Sequence, residues 1–503
     1  MFEKVYKNIT VLISIIIVIT SSGYYSFYTT SSLNNIDQTD SNITLNSPSY
    51  DDTDSTNLIY FPLVLGNFPK KNIMGAQLKG INDNNGLQLM LDANSAWTRL
   101  DYRWSLVQPS EGPIEWGNAS KLDEHLINAD SVGMEVLLIL GDAPVWARFP
   151  EWPCGGKINP DKYEFFEVFI YEFVKRYSNP PFNIKYFEMW NEPEAAGALG
   201  CWGDPSDGAY YGGKAYGEML KVAYPAAKAA NPNAEILVGG LLLDCDPTLG
   251  LTNSDGSIKN CVPSYFLKGI LEVGAGDSFD GVAFHAYDYY GGELGTYGNS
   301  NFNGAWNTTG PVTLEKSRFV RSILHDYGYS DKYLMNTEAG LICNGCDPTD
   351  KVLQITKAYY VAQEFATALA DGYVANVWYS VYGDLNNSVY GDRNNGLITL
   401  DNQPYPAYYA FSFVSHALEN HDFVRKLTLE NGVMGFEFKS KSGKIQWVLW
   451  SIDGQEHNIM LDSLPFSVYR IAESGDGENY YDSEELVTST EITIGVAPMF
   501  IKF

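Results

Sequence analysis

Between Ile73 and Tyr379 the chain repeats one pattern: a short apolar run, then a longer segment whose apolar residues recur at helical spacing. That alternation constrains the fold more than any other feature, because a strand followed by a returning helix can pair in parallel only with the next strand. The strand candidates are Ile73 to Leu78, Trp97 to Trp104, Val136 to Leu140, Ile184 to Trp190, Ile236 to Leu241, Phe279 to Tyr287, Tyr333 to Thr337 and Val374 to Tyr379. Eight such units predict a closed (β/α)8 barrel, the TIM-barrel form of the α/β class. Tyr163 to Tyr177 is the clearest intervening helix, with Phe166, Phe169, Ile170, Phe173, Val174 and Tyr177 on one face.

Outside this span the pattern changes. Residues 1–23 carry Lys4 and Lys7, an apolar run from Val11 to Ile19 and the small residues Ser21, Ser22 and Gly23, the outline of an export signal. With no A-x-A cleavage site, a cleaved signal peptide and a retained signal anchor both stay open. Residues 24–57 are rich in Ser, Thr, Asn and Asp and read as a solvated tether. The barrel domain is expected over 58–418, its first residues, L-I-Y-F-P-L-V-L from Leu58, supplying a further candidate strand. From 419 to 503 the sequence alternates without helical segments, which predicts a C-terminal all-β sandwich, read as structural. Trp447 and Trp450 are three apart and should face opposite sides of a strand, so they form no flat platform for a sugar.

Composition narrows the function. A net charge of -28 disfavours a nucleic-acid partner, since phosphate binding needs clustered Lys and Arg. Neither a Gly-rich dinucleotide turn nor a P-loop is present. Six cysteines fit an oxidising compartment, with Cys154 paired to Cys201 and Cys245 to Cys261. Cys343 and Cys346 are read as a tight local bridge in preference to a redox pair or half a metal site.

The chemistry lies where barrel strands end. The fourth closes Y-F-E-M-W-N-E-P, which puts Glu192 at the catalytic face with Asn191 beside it. The seventh closes N-T-E-A-G, with Glu338 facing Glu192 across the barrel mouth. Two such carboxylates suit glycoside cleavage, one protonating the departing oxygen and the other attacking the anomeric carbon. A metal site is the competing use, disfavoured by the lack of His-x-His or His-x-x-x-His among only six histidines, so neither a metal nor an organic cofactor is expected. Arg99, inside the second strand, needs an anion, and Glu338 is the candidate. An Arg there keeps a nucleophilic carboxylate ionised, whereas Glu192 must hold a proton near neutral pH. His285 and Tyr287 end the sixth strand on one side, the tyrosine within reach of Glu338; a structural role for the histidine is the plainer reading. Trp378 ends the eighth as a candidate floor under a sugar ring, with a core role equally open.

Glu192 in W-N-E-P, Glu338 in N-T-E-A-G, Arg99, His285 and Tyr287 together resemble the retaining glycoside hydrolases of clan A, whose catalytic glutamates lie on strands four and seven. The stretch S-L-V-Q-P-S-E-G-P-I-E-W after the second strand is similar to a pattern of the same enzymes. The resemblance implies a double displacement with Glu192 as acid/base and Glu338 as nucleophile, and Asn191 bonded to the sugar 2-hydroxyl. It further implies a β-linked oligo- or polysaccharide substrate. Where many members carry a His at the end of strand three, this chain has Asp142, a candidate sugar ligand or a loop cap. Loops around Trp152, Trp202 and Gly291 to Gly310 would choose the substrate and endo or exo action. A transglycosidase and a non-catalytic carbohydrate-binding surface protein are the alternatives, and contact with a membrane is expected only through the N-terminal anchor.

Overall fold

The structure is a computed structural model. It describes residues 72–149, 154–195, 200–253, 255–299, 305–383, 394–429, 432–482 and 490–503. The expected export signal, tether and Leu58 strand lie outside the described residues, apart from an antiparallel pair, Ile15–Ile19 with Tyr25–Thr29, in the unit formed by residues 1–61. Trp152 lies outside them too. Residues 62–503 form a second compact unit.

Eight parallel strands close the barrel: β1 (Met74–Ala76), β2 (Trp97–Arg103), β3 (Glu135–Gly141), β4 (Tyr186–Asn191), β5 (Glu235–Leu241), β6 (Gly281–Tyr290), β7 (Tyr333–Ile342) and β8 (Asn376–Trp378). Each pairs with the next in sequence, and β8 closes on β1 with Asn376 opposite Met74. All eight expected strands are present, with different lengths. β6 and β7 run on to Tyr290 and Ile342 because they stay paired beyond the rim, Ile342 opposite Tyr289. β1 and β8 are shorter than expected, each only three residues.

Inward-facing apolar side chains at the N-terminal ends of the strands fill the barrel. Trp97, Leu137, Tyr186, Leu237, Ala283 and Met335 belong to one buried cluster there. Alternation along a strand then places Arg99, Glu188 and His285, each two residues further on, on the same inward faces one layer higher. On β7 the pairing register shifts between Asn336 and Glu338. This bulge turns Glu338 inward where regular alternation from Met335 would have chosen Thr337.

Helix Tyr163–Tyr177 has the expected bounds and buries the six predicted residues against the outside of the barrel. Asn159 caps the short turn before it, accepting from the Asp161 amide. No helix among the described residues is long and apolar enough to cross a membrane.

After helix Pro406–Leu418 come β9 (His421–Lys426), β10 (Val433–Ser440), β11 (Ile445–Ser451), β12 (His457–Met460), β13 (Ser467–Ile471), β14 (Gly477–Asp482), β15 (Glu491–Ile494) and β16 (Met499–Lys502). Six form an antiparallel sheet in the order β9-β10-β11-β16-β13-β14, and β12 pairs with β15. Leu449, Val468 and Ile501 from the large sheet and Ile459, Ile492 and Ile494 from the small one share a core, which makes the module a sandwich. The other face of the large sheet packs on the barrel helices: Phe436, Trp450 and Phe500 join the main cluster, and the Phe500 ring meets Phe413 at 5.0 Å between centroids. Trp447 faces away from Trp450, as expected, and packs on Phe503.

Because Phe500 and Phe413 belong to different modules but one core, Phe500→Ala should cost about 3–5 kcal/mol and lower a single shared unfolding transition. Calorimetry that resolved two transitions, with only the sandwich affected, would contradict this packing.

Candidate active site

Arg99 on β2 organises the barrel mouth. Its Nη2 donates to Glu188 Oε1 at 2.6 Å and to Asn191 Oδ1 at 2.7 Å, and its Nε reaches Glu188 Oε2 at 3.2 Å. Nη1 donates to Glu338 Oε1. Burial alone would make the guanidinium easier to deprotonate, but Glu188 and then Glu338 outweigh it and hold the group cationic, above its ordinary range. The sequence reading paired Arg99 with Glu338 and missed Glu188. A carboxylate amid the apolar residues of Y-F-E-M-W, two strands from the buried arginine, was the available signal.

Glu338 takes a donor on each oxygen, since the Tyr287 hydroxyl donates to its Oε2. Burial, reinforced by Glu338, raises the Tyr287 phenol well above its usual range, so it stays a donor. His285 Nδ1 pairs with Glu192 Oε1 at 2.9 Å and lies 3.5 Å from Glu338 Oε2. Burial drives the imidazole down to about 4, against the pull of Glu338 and with a further push from Arg99. It is therefore neutral at pH 7. Gly240 on β5 makes room for it, because a Cβ there would lie 2.2 Å from Nε2.

Glu192 sits in the left-handed region at φ 42°, two residues after Trp190 at φ 66°. Non-glycine residues adopt that backbone only where surroundings impose it. Here the Glu192 amide donates to Gly240 O at 3.0 Å, and its carbonyl accepts from Ala195 N at 2.8 Å. Glu194, also missed from sequence, buries its carboxyl and accepts from the Leu243 amide at 3.0 Å, tying the β4 loop to the β5 loop. Burial, only partly offset by backbone donors, raises it to about 8. Lys316, on helix Thr313–Asp326, donates to Leu242 O at 2.8 Å and His285 O at 2.9 Å, and burial lowers it to about 8.

The structure thus brings Glu192, Glu338, Asn191, Arg99, His285 and Tyr287 into one cluster. Two other candidates are not hydrogen-bonded into it among the described residues. Asp142, at the end of β3, accepts from Ser105 Oγ at 2.5 Å, and no hydrogen bond links it to the cluster. Trp378 ends β8 fully buried, its Nε1 donating to Asn395 O at 2.8 Å, and offers no exposed face. The three expected cysteine pairs are all disulfides.

Glu192, His285 and Glu338 each present one ligand-type atom within 4.8 Å of the others, a spacing that could hold a metal ion. The donor set argues against it: an ion there would compete with Arg99 and Tyr287 for Glu338 and face the guanidinium's fixed charge.

The depressed His285 value carries a stability consequence. The neutral ring contributes fully above pH 6.5, and that contribution is lost as pH falls from 6.5 towards 4, where the unfolded chain binds the proton first. Nitrogen chemical shifts should report a neutral His285 imidazole at pH 6; imidazolium shifts there would contradict the assignment.

No protein-family model matches the chain. Among solved structures it is similar to a family 39 glycoside hydrolase from the gut symbiont Bacteroides cellulosilyticus, at a TM-score of 0.64 and 18% identity over 86% of this chain and 81% of that one. A monomeric beta-xylosidase from Caulobacter crescentus matches at TM-score 0.53 and 16% identity, over 85% of this chain and 94% of that one. A GH30 endoxylanase from Clostridium papyrosolvens matches at 0.53 and 14%, over 86% and 96%. The barrel with its trailing sandwich is the fold that this chain shares with these glycoside hydrolases.

Proposed function

We propose that the protein is a retaining glycoside hydrolase acting on β-linked glycosides. The observation that carries the reading is the spacing of Glu192 and Glu338, which bring carboxylate oxygens within 4.8 Å of each other from the end of β4 and the bulge of β7. Retaining enzymes hold their carboxyl groups roughly 5 to 5.5 Å apart, whereas inverting enzymes leave about 6.5 to 9.5 Å for a water. The glycoside hydrolases of the same fold support the reading at the level of reaction class.

In the first step Glu192 gives its proton to the glycosidic oxygen while a Glu338 oxygen attacks the anomeric carbon. The carbon–oxygen bond to the leaving group breaks with its electron pair, and a glycosyl ester on Glu338 forms. In the second step Glu192, now a carboxylate, takes a proton from water. The water oxygen attacks the anomeric carbon, and the ester bond breaks to restore Glu338. Arg99 and Tyr287 donate to the two Glu338 oxygens and aim them, and neutral His285 orients Glu192 without adding charge. Asn191, its Oδ1 fixed by Arg99, presents its amide nitrogen to the sugar 2-hydroxyl. The three disulfides support an exported protein.

Residues 58–503 should be assayed on aryl β-glycosides of glucose, xylose, mannose and galactose. Glu338→Ala is expected to lower turnover by at least about 10³-fold. Azide should restore it with a product of inverted configuration. Activity in Glu338→Ala near that of the wild type would refute the assignment. A chelator should leave wild-type turnover unchanged; loss on chelation would instead favour a metal held by Glu192, His285 and Glu338.

Tyr287→Phe removes one donor from Glu338, and a loss of about 10- to 100-fold in kcat with little change in KM is expected. An unchanged kcat would remove Tyr287 from the mechanism.

A further inference from the structure

Beside the barrel mouth, the loop that follows β6 runs against the sandwich and leaves a cleft of about 510 Å³. Its barrel wall is residues 295–299 and 306–310, and its sandwich wall is the turn 451–454 after β11. Gly454 also borders a second cleft of about 310 Å³, which continues along the sandwich past Arg470, Tyr480 and Thr493. Gly454 is common to the linings of both clefts.

The chemistry of the walls selects the occupant. In the first cleft the side chains are chiefly amides and hydroxyls, among them Asn307, Thr308, Thr309 and Ser451, with Asp453 the one carboxylate and no lysine or arginine among the described lining residues. Anionic chains find no counter-charge in that first cleft, whereas a neutral polyhydroxylated chain finds a donor or acceptor at each wall; in the second cleft Arg470 is already paired with Glu478 at 2.8 Å. Further along, in the second cleft, Tyr480 is 42% exposed; the Arg470 guanidinium lies over its ring, 5.4 Å from the centroid, so a pyranose would have to stack on the other side.

The groove begins close to the chemistry. Asn299 lines it, is nearly fully buried, and donates from Nδ2 to the Tyr287 carbonyl at 2.8 Å, while its Oδ1 has no hydrogen-bond partner among the described residues. Tyr287 is the residue whose hydroxyl holds Glu338. The wall is also anchored: Trp306 Nε1 donates to Leu243 O at 2.8 Å, and the Gly295 amide donates to Thr356 Oγ1 at 2.9 Å. A fixed wall lowers the ordering cost of binding.

We infer that this groove holds a length of neutral glycan chain running from the barrel mouth onto the sandwich, so that the sandwich binds substrate and is more than a structural support. The naming of a glycan rests on the glycosidase reading, and the test therefore reads binding and turnover separately.

Affinity electrophoresis should be run in gels containing xylan, β-glucan or mannan. The inactive Glu338→Ala protein is compared with the same protein carrying Asn307→Ala and Thr309→Ala, or Tyr480→Ala. Asn307, Thr309 and Tyr480 are exposed, so the fold should survive, and matching melting temperatures check this. At least one polymer should retard Glu338→Ala, and each groove change should weaken that retardation by about fivefold or more. Retardation by none of the polymers, or equal retardation in the groove variants, would overturn the inference. Wild-type turnover of aryl glycosides, assayed separately, tells that failure from failure of the glycosidase reading. Those small substrates do not need the groove, and the groove variants made in the active protein should hydrolyse them normally.

Discussion

A buried arginine, Arg99, ties the strands of the barrel mouth together. Arg99 has almost no exposure, and it survives there because Glu188, Glu338 and Asn191 accept from it across the barrel. Removing the guanidinium would leave Glu188 and Glu338 buried without their counter-charge, at a cost of about 3–5 kcal/mol. The same contacts that make the cation tolerable fix where Glu338 points. Stability and the proposed chemistry therefore depend on the same hydrogen bonds.

Around that centre the backbone departs from regular geometry where a side chain must be re-aimed. The β7 bulge brings Glu338 inward in place of Thr337. At the end of β4, Trp190 and Glu192 adopt left-handed conformations, and the strand leaves the sheet with Asn191 towards Arg99 and Glu192 towards His285. Gly240 supplies the space that the imidazole occupies. Each departure conflicts with local preference, and each lies beside a proposed catalytic group, the usual place for such strain.

The barrel was legible because alternating apolar runs and helical segments, eight times over, admit few other arrangements, and the six inward residues of helix Tyr163–Tyr177 were readable at single-residue level. Most of the candidate site was legible for a related reason: polar residues at the ends of apolar strands have one place to converge. Glu188 was hidden because it lies within its strand, so its role appears only when the sheet closes and the inward faces of β2 and β4, with β3 between them, converge. Glu194 and Lys316 act on loop carbonyls and amides, which no side-chain pattern encodes. The bulge on β7 was not readable either, and plain alternation would have turned Glu338 away from the barrel. Trp378 was placed correctly at the end of β8, but whether its ring meets ligand or neighbour depends on packing by Asn395 and Tyr360, remote in sequence.

The central claim is that Glu338 is the nucleophile, and trapping its glycosyl ester tests it most directly. The wild-type protein would be incubated with 2-deoxy-2-fluoro-β-glycosyl fluorides of glucose, xylose, mannose and galactose, digested and mapped by mass spectrometry. One reagent is expected to inactivate the protein and leave a single fluoroglycosyl group on Glu338. A label on Glu192 or another residue, or turnover with inverted product and no label, would contradict the account.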